Sequence, residues 1–277
     1  MSDDVNLNAY FERIAFTGSI APTLQTLDAL HALHPAAIPF ENLSPLLGLP
    51  VLLDQHSLNQ KLLHDRRGGY CLEHNLMFLG VLRELGFTAR AHAARVLWGR
   101  AAEGVPPATH VTLTVDIGGT TYLADVGFGG LTLSAPLKLR STAEQETPHN
   151  VFRLSGEDPI YQLDARIGEE WRPVYELDLA EPDAAQFAAM NAVVSTAPDS
   201  LFRNHLMVCL APKGRQLALL DNRLTIYLAG GEREIRPLES VAEMREILAG
   251  LFGINLPAAD LLDPALEKIL ALGTPLT

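Results

Sequence analysis

Cysteine is nearly absent from this chain: Cys71 and Cys209 are the only two in 277 residues. Such usage gives no disulfide framework. The start, Met1-Ser2-Asp3-Asp4-Val5-Asn6, is acidic and has no apolar h-region. Together these features predict a soluble protein in a reducing, cytoplasmic setting. Positive charge is scarce as well, with 21 Lys and Arg against 33 Asp and Glu and a net charge of −12. That balance argues against nucleic acid and anionic membrane surfaces as partners, and any anionic ligand needs a local basic or N–H-rich pocket. No apolar run reaches transmembrane length. No Cys-x-x-Cys, His-Glu-x-x-His or Walker pattern occurs, so neither a metal site nor a P-loop is expected. Internal repeats, low-complexity tracts and evident linkers are missing too. What is present is apolar: 48% of the residues are hydrophobic, enough for a sizeable core.

The stretch Arg66-Arg67-Gly68-Gly69-Tyr70-Cys71-Leu72-Glu73-His74-Asn75 organises the rest. Two glycines make a turn, a cysteine follows, and an apolar helix opens at once. Leu72, Leu76, Leu79 and Leu82 recur at helical spacing, with Gly86 as a stop. Cys71 therefore stands at the first turn of a buried helix, where free N–H groups and the dipole favour a thiolate nucleophile. A small buried hydrophobe is the alternative. Cys209, between Val208 and Leu210, reads as inert core.

Residues 1–86 read as helical. Tyr10, Phe11, Ile14 and Phe16 form a short amphipathic helix with Arg13 outward, and Leu24, Leu27, Leu30 and Leu33 form a second. His31 and His34 read as partly exposed helix-end histidines. Ile38-Pro39-Phe40-Glu41-Asn42-Leu43 reads as a proline-led loop. Glu41 and Arg67 flank motifs that must be held together and are expected to form a buried ion pair. Residues 87–180 change to period two and predict an antiparallel β-barrel or sandwich, with a loop over Gly99–Pro107 and Gly118-Gly119 as a hairpin turn. Residues 181–277 predict a mixed α/β unit, including a helix opened by Ser240-Val241-Ala242-Glu243 and a last short helix over Pro264–Leu272. The fold class is α+β.

A cysteine nucleophile needs a base, and the base an orienting group. The Gly118-Gly119 turn sets the register. Ile117 opposes Thr120, Thr112 opposes Asp125, and His110 and Asp125 become diagonal neighbours on the polar face. Cys71, His110 and Asp125 then make a nucleophile–base–orienter set. Solvent-facing hairpin residues are the alternative. His74, one turn beyond Cys71, stays open as a rival base. Asp125-Val126-Gly127-Phe128-Gly129-Gly130 permits close backbone approach by a ligand or makes an ordinary barrel-corner bend. Phe128 lines a cleft or plugs the barrel end.

These residues resemble a known family. Arg67-Gly68-Gly69-Tyr70-Cys71-Leu72-Glu73-His74-Asn75, Thr109-His110-Val111 and Asp125-Val126-Gly127-Phe128-Gly129 are similar to the catalytic motifs of the arylamine N-acetyltransferases of bacteria. Ile38 to Leu43 is similar to that family's N-terminal loop. The resemblance implies a helical N-terminal domain, a β-barrel and a C-terminal α/β lid around a cysteine-protease-like Cys-His-Asp core. It implies Cys71, His110 and Asp125 as catalytic residues and Phe40, Val96, Phe128, Gly129 and Phe202 as substrate-binding positions. It also implies acetyl-CoA as donor, arylamines, arylhydroxylamines or hydrazines as acceptors, no metal, and ping-pong transfer through an acetyl-cysteine. The same triad serves a cysteine protease or transglutaminase-like enzyme, and an inert thiol would leave a binding module. A homo-oligomer is left open.

Overall fold

The computed structural model describes residues 4–99, 104–228 and 231–274; part of the loop expected over Gly99–Pro107 lies outside them. Helices α1 (Leu7–Arg13) and α2 (Leu24–Ala37) begin at Asn6 and Thr23, whose side chains accept the N–H groups of Ala9 and Thr26. They are followed by β1 (Phe40–Glu41), α3 (Leu43–Leu46), α4 (Gln55–Leu58) and a π-helical continuation over Asn59–His64. Next comes α5 (Cys71–Glu84), which buries Leu72, Met77, Phe78, Val81 and Leu82 and stops before Gly86, at φ 84°. Two expectations for these helices do not hold. Arg13 is buried, because its Nε donates to the Leu62 carbonyl at 3.2 Å. His31 and His34 are also fully buried, held by hydrogen bonds described below.

Strands β2 (Thr88–Val96), β3 (His110–Ile117), β4 (Thr120–Ala124), β5 (Leu137–Lys138), β6 (Gln145–Glu146), β7 (Val151–Glu157), β8 (Ile160–Ile167) and β9 (Glu170–Asp178) form an antiparallel sheet. Its order is β5-β4-β3-β2-β9-β8-β7-β6. The sheet curls until its edge strands meet. The Gln145 amide accepts from the Lys138 N–H at 2.7 Å and donates to the Lys138 carbonyl at 3.0 Å, nearly closing a barrel. The β3–β4 ladder has the expected register, from Ile117 opposite Thr120 to Leu113 opposite Ala124. Gly118 and Gly119, at φ 57° and 81°, supply the two positive dihedrals of a type I′ turn. Both faces of β3 are covered. Val111, Leu113 and Val115 pack in one core with Phe78 and Leu82 of α5, while His110, Thr112 and Thr114 are buried on the other face.

The remainder comprises α6 (Ala184–Thr196), α7 (Leu201–Asn204), β10 (Met207–Leu210), β11 (Arg215–Leu220), β12 (Arg223–Leu228), β13 (Arg233–Pro237), α8 (Val241–Glu246) with a π-helical continuation, and α9 (Ala259–Ala271). The expected start of α9 at Pro264 is corrected to Ala259: Leu262 and Leu266 are both buried in the C-terminal core and carry the helix through the proline. Phe40 and Glu41 are not loop. They pair with Cys209 and Val208, so β1 is the edge of a sheet ordered β1-β10-β11-β12-β13. Met190 and Val194 of α6 pack into the core of the N-terminal helices. Among the described residues no helix is long and apolar enough to cross a membrane.

Candidate active site

The turn before α5 is locked by its neighbours. A Cβ at Gly68 would stand 2.0 Å from the Pro39 carbonyl oxygen, a distance no other residue tolerates. The Gly69 N–H donates to that oxygen at 3.3 Å, and the Glu41 N–H donates to the Gly69 carbonyl at 2.7 Å. The Arg67 guanidinium meets Glu41 Oε1 through Nη2 at 2.7 Å and Nε at 3.0 Å, so the expected ion pair is present. Burial alone would raise the Glu41 carboxyl; Arg67, Lys61 and the Leu43 N–H outweigh it and hold it below its ordinary value. Glu73 accepts the Tyr70 N–H at 3.0 Å and pairs with Lys61 at 2.6 Å. The first helical bond of α5 runs from the His74 N–H to the Tyr70 carbonyl. The N–H groups of Cys71, Leu72 and Glu73 therefore have no acceptor within the helix.

Cys71 is 5% exposed, and its Sγ lies 3.6 Å from the carbonyl of Thr109, the residue before His110. His110 donates from Nε2 to Asp125 Oδ2 at 2.6 Å, which leaves Nδ1 for the sulfur. Burial by itself pulls the imidazole pKa down. The Asp125 carboxylate, aided by the Cys71 side chain, overrides this and raises it to about 10. The Asp125 carboxyl is lowered: burial opposes this, but His110, Asn75 and the Gly127 N–H prevail. Asn75 donates to Asp125 Oδ1 at 2.9 Å and to the Val111 carbonyl at 2.6 Å, and accepts the Val126 N–H at 3.0 Å. His31 Nε2 accepts the Asp125 N–H at 3.0 Å. Sequence reasoning missed both supports. Asn75 lies one helical turn beyond Cys71, a signal that was available; His31 lies 94 residues from Asp125 and gave none.

His74 is engaged elsewhere. Its Nε2 lies 3.1 Å from the Pro39 carbonyl, which can only accept, so Nδ1 carries no proton. That nitrogen accepts from His34 Nε2 at 2.8 Å, and His34 Nδ1 accepts from the Tyr10 hydroxyl at 2.9 Å. Burial lowers His74 to about 4 and His34 well below its ordinary value, and raises Tyr10. The chain is neutral throughout, and His74 has no free nitrogen to serve as base.

Aromatic rings pack on the His110 imidazole. Phe128 stands edge-on to His110 with ring centres 5.1 Å apart, and Tyr175 tilts against the same imidazole at 5.1 Å. Val96 pairs with Tyr175 across β2 and β9, so the two side chains share a face. The Phe40 ring lies over Gly129, whose Cβ would stand 3.5 Å from it. Phe202 packs edge-on to Phe40 at 5.8 Å and against Tyr70 at 5.5 Å. The structure thus places Phe128 directly against His110, Val96 beside the Tyr175 that touches the same ring, and Phe40, Gly129 and Phe202 together beside Tyr70, the residue before Cys71. Phe128 also borders a cleft of about 940 Å³ whose far wall is the C-terminal sheet. Cys209 is half-buried rather than core, because its strand β10 lies next to the sheet edge β1; desolvation pushes its thiol up to about 12.

A family model described as N-acetyltransferase matches residues 23–261. The chain is 40% identical to the arylamine N-acetyltransferase of Escherichia coli (strain K12) over 254 residues, 91% of this chain and 90% of that one. The chain belongs to the arylamine N-acetyltransferase family. As a member, it is also 39% identical to the arylamine N-acetyltransferase / N-hydroxyarylamine O-acetyltransferase of Salmonella typhimurium (strain LT2), covering 90% of this chain and 89% of that one. Among solved structures, the Mycobacterium marinum arylamine N-acetyltransferase matches with a TM-score of 0.92 at 36% identity, over 95% of this chain and 99% of that one. The same enzyme in complex with CoA matches with a TM-score of 0.91. The three-part architecture expected from the motifs is the family's own.

Proposed function

We propose that this protein transfers an acetyl group from acetyl-CoA to arylamines, arylhydroxylamines or hydrazines by a ping-pong mechanism, with Cys71 as the acyl carrier. The observation that carries the reading is the Cys71–His110–Asp125 constellation at the mouth of a buried helix. With His110 raised to about 10, the resting site holds the imidazolium beside Sγ, and Asp125 fixes its orientation. The thiolate attacks the thioester carbonyl, and the N–H groups at the start of α5 face the oxyanion. The C–S bond to coenzyme A breaks, and coenzyme A leaves as a thiol with the His110 proton. The amine then attacks acetyl-Cys71, His110 takes the amine proton, and the Cys71 thiolate departs, restoring the pair.

The cleft beside Phe128 suits the donor. It carries Arg166, Arg172, Arg215 and Arg233 on a chain whose net charge is −12, a local positive field for phosphates. Arg166 and Arg172 are shared with Glu144 and Glu170. Phe40, Val96, Phe128, Gly129 and Phe202 wall the acceptor side. Three domains, 1–86, 87–180 and 181–277, are assigned; the barrel interior and the C-terminal unit each have a core of their own, while the core of the N-terminal helices also takes in one face of β2–β4 and Met190 and Val194 of α6. A cytoplasmic location accords with two unpaired cysteines. Initial rates with both substrates varied test the mechanism. Parallel double-reciprocal lines and loss of nearly all turnover in folded Cys71→Ser are expected; intersecting lines or an active serine variant contradict it.

A further inference from the structure

Asn42 is fully buried and occupies the position that caps α3, yet its side chain does not cap that helix. Glu41 takes over the task, its Oε2 accepting the Leu43 N–H at 2.6 Å. The Asn42 amide is spent entirely on a segment 160 and more residues away. Its Nδ2 donates to the carbonyls of Phe202 at 2.8 Å and His205 at 2.6 Å, and its Oδ1 accepts the Met207 N–H at 2.7 Å. Both amide hydrogens are used, so the clasp is saturated on its donor side.

Beyond Asn42, the segment is tied to Asp221, whose carboxylate meets His205 Nδ1 at 2.8 Å and accepts the Leu206 N–H at 2.9 Å, and to itself. Helix α7 is four residues long, the Ser200 hydroxyl caps it, and Asn204 Nδ2 returns to the Pro198 and Ser200 carbonyls. On it stands Phe202, half-buried against Phe40 and Tyr70 beside the nucleophile. Asn42 is two residues from Phe40, and Phe40 is fixed in β1 against Cys209. Asp221 holds His205 and Leu206, whereas the Asn42 amide reaches the carbonyl of Phe202 itself, and so ties together two facing rings 162 residues apart in sequence.

We propose that Asn42 is a positioning residue that sets acceptor selectivity by fixing the Phe202 ring against Phe40. The inference rests on the reading of Phe202 as an acceptor wall. It makes the width of the aryl slot depend on a side chain that does not itself touch the acceptor.

The test is a double-mutant cycle of Asn42→Ser and Phe202→Ala, with Asn42→Asp beside it as a variant that keeps the Met207 bond and loses both donors. Each protein is assayed below its melting temperature with a compact and a bulky arylamine, and Cys71 acetylation by acetyl-CoA is timed with no acceptor. Asn42→Ser is expected to change the ratio of kcat/KM between the acceptors by about 5-fold or more, chiefly through KM, with acetylation within about 2-fold of the parent. In the Phe202→Ala background the same substitution should move the ratio by less than about 2-fold, because the ring it positions is gone. Additive effects in the two backgrounds overturn the inference. So does a loss of acetylation in step with every acceptor, which a merely structural asparagine produces. If Phe202→Ala alone leaves the ranking unchanged, the acceptor-wall reading falls first, and the proposal with it.

Discussion

Replacing Arg67 by alanine isolates what holds the turn before Cys71 in place. Glu41 is 0% exposed and Arg67 13% exposed on their side chains, so the pair is buried chiefly at the acid. Removal of the guanidinium leaves the Leu43 N–H on Oε2 but strands Oε1, which both Arg67 nitrogens had served. Breaking a buried pair by removing one partner costs about 3–5 kcal/mol. For a chain of this length about 1 kcal/mol corresponds to roughly 2 °C, so a fall in Tm of about 6–10 °C is expected near pH 7. Sign and pH dependence follow from the depressed Glu41 carboxyl. Its stabilisation is present above the unfolded carboxyl pKa and is lost as pH falls through the folded one, so the deficit of Arg67→Ala shrinks in acid. Joint replacement of Glu41 and Arg67 by apolar residues of similar size should recover part of the loss. Differential scanning calorimetry at two pH values reads all of this. An unchanged Tm with only the acceptor KM altered refutes the reasoning.

A second perturbation is Gly68→Ala, whose methyl has no room beside the Pro39 carbonyl; it should displace the Cys71 turn and lower both Tm and the acetylation rate, and a parent-like crystal structure and rate would contradict this. Acidification is the third. His31 and His74 fall from 6.5 to about 4 on burial, so the unfolded chain binds more protons between those values, and stability present above pH 6.5 is lost toward pH 4, about 3 kcal/mol for each histidine. Urea unfolding midpoints from pH 7 to 4.5 should decline steeply, and a flat profile counts against neutral buried histidines. Fourth, Phe128→Leu keeps apolar packing beside His110 while removing the aromatic face. It should reorder arylamines by kcat/KM, since ring pairs contribute about 0.5–1.5 kcal/mol beyond buried area. Uniform losses with a lower Tm would mark a plug.

Much of the candidate site was legible because it is local. Cys71 follows its own turn and opens its own helix, and one two-residue hairpin carries His110 and Asp125 into register. The Glu41–Arg67 pair was legible from the flanking of two motifs by opposite charges. What escaped is long-range. A two-residue strand such as β1 has no alternation to read, and its partner Cys209 lies in the last third of the chain. The Tyr10–His34–His74 chain links α1, α2 and α5 through rings whose spacing looks like that of any polar helix residue. Arg13 was misplaced for a related reason: helical periodicity marks a face, not whether a charged end finds a carbonyl beneath it.

Intact-mass analysis after mixing with acetyl-CoA alone asks whether Cys71 carries the acetyl group. One added acetyl group per chain is expected, located on the Cys71 peptide and discharged when an arylamine is added. Absence of the adduct, or its appearance on Cys209, would rule out Cys71 as the acyl carrier.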